Sequence, residues 1–317
     1  MMAISKSNGM RKSLVIARTA GLLLLVAVLI STTAGCDSSS GSEIEAAKVQ
    51  VRLELEGLSP LVDGFHYQAW AKVGFEFIPS PSFNVNESGS FTNTAGQLIQ
   101  SSFIFPVDIS DATEVFITIE DKKDSDEFPS DTVVLAGDVV GSTVTLSQSH
   151  TRSLGRDFSG ENGSFMLFTE SDDPAGNETS GLWFTTGSAG NLSAGLSLPS
   201  LPDGWIYEGW VDTGSAVLST GQFSTNAGHD SARPFSLPDV PAFPGEDFLV
   251  DPPAGITFPL DLSGAAVSVT VEPFPDDTAD SYGIRILSGT VPAPAVAATV
   301  YSLGPDFTGP TGTATIF

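Results

Sequence analysis

The chain has one cysteine, Cys36, in 317 residues. With a single thiol there is no intrachain disulfide and no paired-cysteine metal site. Basic residues are scarce: 13 Lys and Arg stand against 38 Asp and Glu, a net charge of −25. Such a surface repels nucleic acid and acidic lipid headgroups, and no basic cluster offsets it. Acidic surfaces of this kind keep a protein hydrated, including in a salty medium that screens self-repulsion. Histidine is limited to His66, His150 and His229. No amphipathic helical stripe appears after residue 36, and no glycine loop sits at a strand-to-helix junction, so phosphate-loop chemistry is not expected. Disorder is not expected either, because 41% of residues are hydrophobic and aromatics are spread throughout.

The long apolar run is at the start. Lys6, Arg11, Lys12 and Arg18 form a leader without acids, followed by "AGLLLLVAVLI" (20–30) and "STTAGC" (31–36). Charge, apolar core and small residues in that order mark a secretory signal. The run is shorter than the roughly 20 apolar residues of a membrane span. Ala34 and Gly35 before Cys36 resemble the lipobox of bacterial lipoproteins, with Thr33 where leucine is usual. The expectation is a signal peptide over 1–35, lipidation of Cys36, and a flexible tether over 36–47. The protein is then held to a membrane from outside the cytoplasm, in the bacterial cell envelope. Ordinary secretion and an uncleaved anchor are the alternatives.

The rest of the chain is written twice. "VDGFHYQAW" (62–70) is answered by "PDGWIYEGW" (202–210), and Phe83 and Asn86 by Phe223 and Asn226. "FPVDISDA" (105–112) then matches "FPLDLSGA" (258–265), and "VFITIE" (115–120) matches "VSVTVE" (267–272). "SLGRDFSGENG" (153–163) closes the first copy as "SLGPDFTGPTG" (302–312) closes the second. The second copy carries an insertion around "FPGEDFLVDPP" (243–253). Val267, Val269 and Val271 alternate with polar residues, as do Val115, Ile117 and Ile119. That period of two, with glycine and proline punctuating short segments, predicts strands. The fold class expected is all-β, as two tandem β-sandwich domains over 48–163 and 164–317.

Within the repeated nonapeptide, Asp-Gly predicts a turn and the following residues a strand. Trp205, Tyr207, Gly209 and Val211 share the core face, leaving Ile206, Glu208, Trp210 and Asp212 on the more polar one. Trp70 occupies the same position in the first copy. A crossing loop that covers Trp70 and Trp210 is the plainer expectation, and an exposed aromatic binding platform the sharper one.

These residues resemble the C-terminal domain of anti-sigma-K factors (the RskA type). The shared marks in the second copy are Tyr207, Trp210, Gly221, Phe223, Gly228, Thr270, Val271, Glu272, Pro273 and Gly289. The first copy keeps Tyr67, Trp70, Phe83, Thr118, Ile119 and Glu120, with Asp121 in place of the proline. The resemblance implies an extracytoplasmic β-domain. In that family a separate cytoplasmic segment with His/Cys metal-ligand spacing grips the sigma factor and a membrane helix joins it to the outer domain; neither the segment nor the helix is expected here.

Catalytic constellations are not evident. His66 aligns with Ile206, His150 and His229 lie in polar loops, and no nucleophile elbow surrounds a serine. Glu120 and Glu272 recur at the end of the same strand, where they are expected to accept hydrogen bonds from turn amides. Each precedes an acidic loop, 121–127 and 273–281. Oxygen-rich loops can ligate calcium, but neither has EF-hand order, and solvated hairpins are expected. No other cofactor is implied. The leading expectation is a non-enzymatic, lipid-anchored binding module whose partner is an envelope protein or glycan. The alternatives are a sensor in an anti-sigma system acting through a membrane partner, and an envelope hydrolase using paired carboxylates.

Overall fold

The structure, a computed structural model, describes residues 49–122, 127–172, 176–188, 190–238, 240–275 and 280–317. The signal, Cys36 and the tether lie outside the described residues. All of those described belong to one compact unit, Ala46–Phe317. None of their helices is long and apolar enough to cross a membrane.

The fold is all-β, as the period-two pattern predicts. The first copy supplies β1 (Gln50–Glu56), β2 (His66–Val73), β3 (Glu76–Pro79), β4 (Asn84–Val85), β5 (Phe91–Thr92) and β6 (Ser102–Ile104). It continues with β7 (Ala112–Glu120), β8 (Val133–Val140) and β9 (Thr143–Leu146). Then come β10 (Asn162–Leu167), β11 (Gly181–Trp183), β12 (Thr185–Ser188), β13 (Asn191–Ala194) and β14 (Leu196–Ser197). The second copy proper adds β15 (Trp205–Asp212), β16 (Val217–Phe223), β17 (Gly245–Asp247) and β18 (Ala266–Pro273). The chain ends through β19 (Ile284–Thr290), β20 (Val300–Thr308) and β21 (Thr311–Ile316).

Two large antiparallel sheets result. One runs β3-β2-β7-β8-β9-β21-β1-β6 and the other β16-β15-β18-β19-β20-β10-β11-β17. Position by position they correspond, which is the duplication expressed as topology. Two strands have changed places. β10 follows the first "SLGRDFSG" motif but pairs with β20 and β11 in the second sheet. β21 follows the second copy of that motif but pairs with β1 and β9 in the first sheet, with Val51 opposite Ile316. The boundary expected between Gly163 and Ser164 therefore falls inside β10. The copies are lobes that exchange their closing strands, the intramolecular counterpart of domain swapping.

Each sheet curls so that its distant strands meet. In the first lobe Tyr67 of β2 pairs with Phe83, whose ring lies 5.0 Å from Phe103 of β6. In the second, Tyr207 stacks on Phe223 at 5.7 Å, and Phe223 lies 6.1 Å from Phe184, beside β11. The predicted core faces hold: Tyr67, Ala69, Val115, Ile117, Trp205, Tyr207, Val211, Val267, Val269 and Val271 join one buried apolar cluster. Asn84 bonds the backbone N–H and C=O of Leu61 through its side-chain amide, and Asn226 does the same at Leu198. Asn84, not Asn86, is thus the counterpart of Asn226. Asn86 instead caps its own hairpin turn, accepting from Ser88 and Ser90 amides.

Candidate functional site

The repeated tryptophans do not form an exposed platform. Trp70 is 2% exposed and Trp210 4%. The indole N–H of Trp70 donates to Thr118 Oγ1 at 2.8 Å, and that hydroxyl donates to Glu120. Trp210, Thr270 and Glu272 repeat the chain, again with 2.8 Å at the indole. Antiparallel pairing of β2 with β7 and of β15 with β18 puts each tryptophan diagonally across from its threonine. Both glutamates are buried, and both accept a backbone amide, Ser130 N–H at 3.1 Å and Tyr282 N–H at 2.7 Å. The expected turn-amide role of Glu120 and Glu272 is therefore what the geometry contains. The indoles are buried because the polar face of these strands is closed by mutually satisfied groups. In the first lobe Trp70 also stacks on Phe116 at 6.4 Å, and the Arg152 guanidinium lies over Phe116 and Phe77.

The histidines remain scattered. His66 is half-buried in β2, and His229 is exposed. His150 sits beside Glu114 and Asp138, with its Nε2 3.5 Å from Asp138. Glu114 is buried and takes a two-pronged contact from Arg152, with Lys72 3.6 Å away. Among the described residues no group of three His, Cys, Asp or Glu is placed to hold a metal ion. Of the two calcium-candidate loops, residues 123–126 and 276–279 lie outside the described residues.

Residue order alone did not point to a seam of buried acids in the second lobe. β17 pairs with β11, with Gly245 opposite Trp183 and Asp247 opposite Gly181. Glu246 and Asp247 are fully enclosed. Asp247 accepts the Trp183 indole N–H at 2.8 Å and the Ser171 hydroxyl at 2.7 Å. Glu246 accepts the Ser236 hydroxyl, and Asp230 accepts Gly245 N–H at 3.0 Å. Space for these carboxylates comes from glycines. A Cβ on Gly181 would lie 2.2 Å from Asp247, and one on Gly221 2.7 Å from Asp230. Glu246 Oε2 and Asp230 Oδ1 have no hydrogen-bond partner among the described residues.

Loss of hydration disfavours charge here. It pushes Asp230 up to about 7 and Glu246 to about 8, and raises Asp247 against the pull of its Ser171 and Trp183 hydrogen bonds. Asp230 and Asp247 raise Glu246 further by like-charge repulsion, while Arg233 and the Gly245 amide draw Asp230 down. The acidic pair in "FPGEDFLVDPP", flanked by apolar residues, was the available signal. Glu246 and Asp247 are closed to solvent, so they present no reactive pair to a substrate.

A larger cavity of about 630 Å³ lies along β1 and β21, and a surface open to a ligand is also found at the junction of the lobes. The Tyr67 hydroxyl meets the Tyr282 hydroxyl at 2.8 Å, and Thr132 Oγ1 donates to Gly204 O at 3.1 Å. Beside these contacts lies a cavity of about 400 Å³ lined by Phe65, Asp121, Asp131, Gly204 and Phe274. A second cavity of about 460 Å³ shares Ser130 and Asp131 and adds Phe116, Phe128, Arg152 and Asp203. Phe128 is 70% and Phe274 54% exposed. The second Asp-Gly turn, Phe65 just after the first, the ends of β7 and β18 and the described residues next to them thus line two adjoining cavities with aromatic walls and carboxylates. The chain matches no protein-family model, and comparison with curated proteins and with solved structures returned no significant match.

Proposed function

We propose that this protein is a lipid-anchored, extracytoplasmic binding protein of the bacterial envelope, non-enzymatic, that takes its partner in the cleft between its duplicated lobes. The observation that carries this reading is the cleft itself. It places two exposed phenylalanines, Phe128 and Phe274, beside Asp121, Asp131 and Asp203. Concave, partly apolar surfaces with a few polar groups are where ligands bind. The chemistry suits a ligand with apolar faces and hydroxyl or amide donors, such as an envelope glycan or an extended protein segment.

The test is photo-crosslinking in cells from positions 128 and 274, with Val217 as a distant exposed control. Partners or glycan captured at both cleft positions and not at 217 are expected. Equal capture at all three would end the reading.

A second reading, a sensor in an anti-sigma system acting through a membrane partner, is favoured by one observation. Asp230 and Glu246 titrate near neutral pH inside the lobe that carries the family marks. It predicts that a sigma factor or its regulator responds to external pH only when this protein is present.

A further inference from the structure

Among the described residues of the first lobe, Phe75, Ile104, Val107, Val140 and Phe317 are exposed at one end of its sheet, while Val62, Leu98, Ile99 and Phe128 are exposed elsewhere. β2 ends at Val73, and the turn into β3 carries Phe75 fully exposed. β7 begins opposite that end, with Ala112 facing Val73, and Glu114 faces Asp138 near the end of β8. Val140, 75% exposed, closes β8 at its turn into β9. Ser142 in that turn accepts the Ile316 amide at 2.8 Å, and Phe317 donates to Gln50 O at 2.9 Å. Gln50 in turn faces Ile104, the last residue of β6. Phe75, Val140, Phe317, Ile104 and nearby Val107 therefore share one rim. Their exposures run from about full for Phe75 to 48% for Val107.

Single exposed apolar side chains are ordinary, but five gathered along one edge of a lobe are not. The chain also enters the described fold at this rim. Val49 accepts the Phe105 amide at 2.6 Å, immediately before β1. The stretch from Cys36 to Val49 reaches at most about 45 Å when extended. A bilayer holding Cys36 is therefore within reach of this end of the lobe, while the cleft lies at the other end of β2 and β7.

We infer that this rim is a membrane-contact surface, with Phe75 and Val140 entering the interface of the bilayer that holds the lipid. This rests on the lipid-anchor reading above. Phenylalanine and valine at hairpin tips gain by leaving water, and their hairpin turns place no charged group at the tip itself. Glu76, exposed beside Phe75 at the foot of its turn, and Asp108, Asp111 and Asp138 farther back select zwitterionic over anionic headgroups.

The experiment uses the full lipoprotein carrying Phe75→Cys, Val140→Cys or, as control, Phe128→Cys, labelled with a maleimide fluorophore. It is reconstituted in phosphatidylcholine vesicles with and without spin-labelled acyl chains. An acylated Cys36 does not react, so one label per chain is expected. Quenching at 75 and 140 should exceed that at 128 by at least threefold, and fall when the partner rim residue is made serine. One label with equal quenching at all three positions overturns the rim contact while leaving the anchor intact. Two labels per chain instead remove the acyl anchor, and the rim proposal falls with it.

Discussion

The rings of Phe158 and Phe307 lie 5.8 Å apart, so the same phenylalanine of the two copies meets its own counterpart. This contact marks the crossing at which the lobes exchange their closing strands. Without β21, β1 loses one of its two partners, over Val51–Glu56, keeps β6 only over Gln50–Arg52, and the row containing Val51 and Leu53 opens to water. Residues 48–163 expressed alone should therefore not unfold cooperatively, and should bind a hydrophobic dye. Mixing with residues 164–317 should restore a single transition. A cooperative fold of 48–163 in isolation, followed by circular dichroism in urea, would contradict the exchange.

The Trp–Thr–Glu chains make a second test. Thr270→Val keeps the shape but leaves the buried Trp210 indole without its acceptor and Glu272 without one donor. A loss of about 1–3 kcal/mol is expected. Thr118→Val should cost a similar amount, because the first lobe repeats the arrangement. Trp210→Phe in the Thr270→Val background should add less than it does alone, since the shared partner has already gone. Urea midpoints of the four proteins read the coupling, and strict additivity would sink it.

The acid seam makes stability depend on pH with a defined sign. Glu246 and Asp230 hold protons in the fold that the unfolded chain releases near pH 4–5. Their stabilisation is complete below those unfolded values and is lost as pH rises, up to about 7 for Asp230 and about 8 for Glu246. Each contributes a slope of about 1.4 kcal/mol per pH unit across its window. Glu246→Gln cannot ionise, so the difference in Tm between wild type and variant should move in the variant's favour from pH 5 to 8. A difference that does not change with pH would show that Glu246 is not protonated in the fold.

The two Asp-Gly turns differ in a way that equal sequence hides. Gly204 has φ +81°, and a Cβ there would lie 2.6 Å from the backbone of Asp131 and Thr132. Gly64 has φ +93°, but the atoms nearest to its Cβ would be side-chain atoms of Lys122, whose outer methylenes can rotate while its Cβ at 2.9 Å must shift. Both alanine variants carry the positive-φ strain of roughly 1–2 kcal/mol. Gly204→Ala should cost clearly more than Gly64→Ala, and it should also reduce capture from position 274. Equal denaturation midpoints for the pair would count against the tight contact between the lobes.

Much of the fold was legible. Val267, Val269 and Val271 announce a strand and its inner face, and the repeated blocks announce equivalent sheets. The burial of Trp70 and Trp210 was less legible, because Glu208, Thr270 and Glu272 read as a wet face. Those polar groups are buried instead and satisfied locally, Glu208 by Ser219 and Gln222. Period-two alternation separates faces but does not say whether the second face is covered. The strand exchange was illegible for a related reason: "NGSFML" and "TGTATI" follow the same motif, and either could close either sheet. Asp230, Glu246 and Asp247 were lost among 38 acids, and most of the described ones are not buried.

The place of β21 also governs when the molecule can finish folding. Synthesis delivers the N-terminus first, and the gap between β9 and β1 stays unfilled until β21 has been made. Pairing Val51 with Ile316 closes almost the whole described chain into one loop, a step that comes late and slowly. On the export proposed above, a chain threaded unfolded through a membrane pore would gain from that delay, because its first lobe latches only when β21 pairs with β1 and β9.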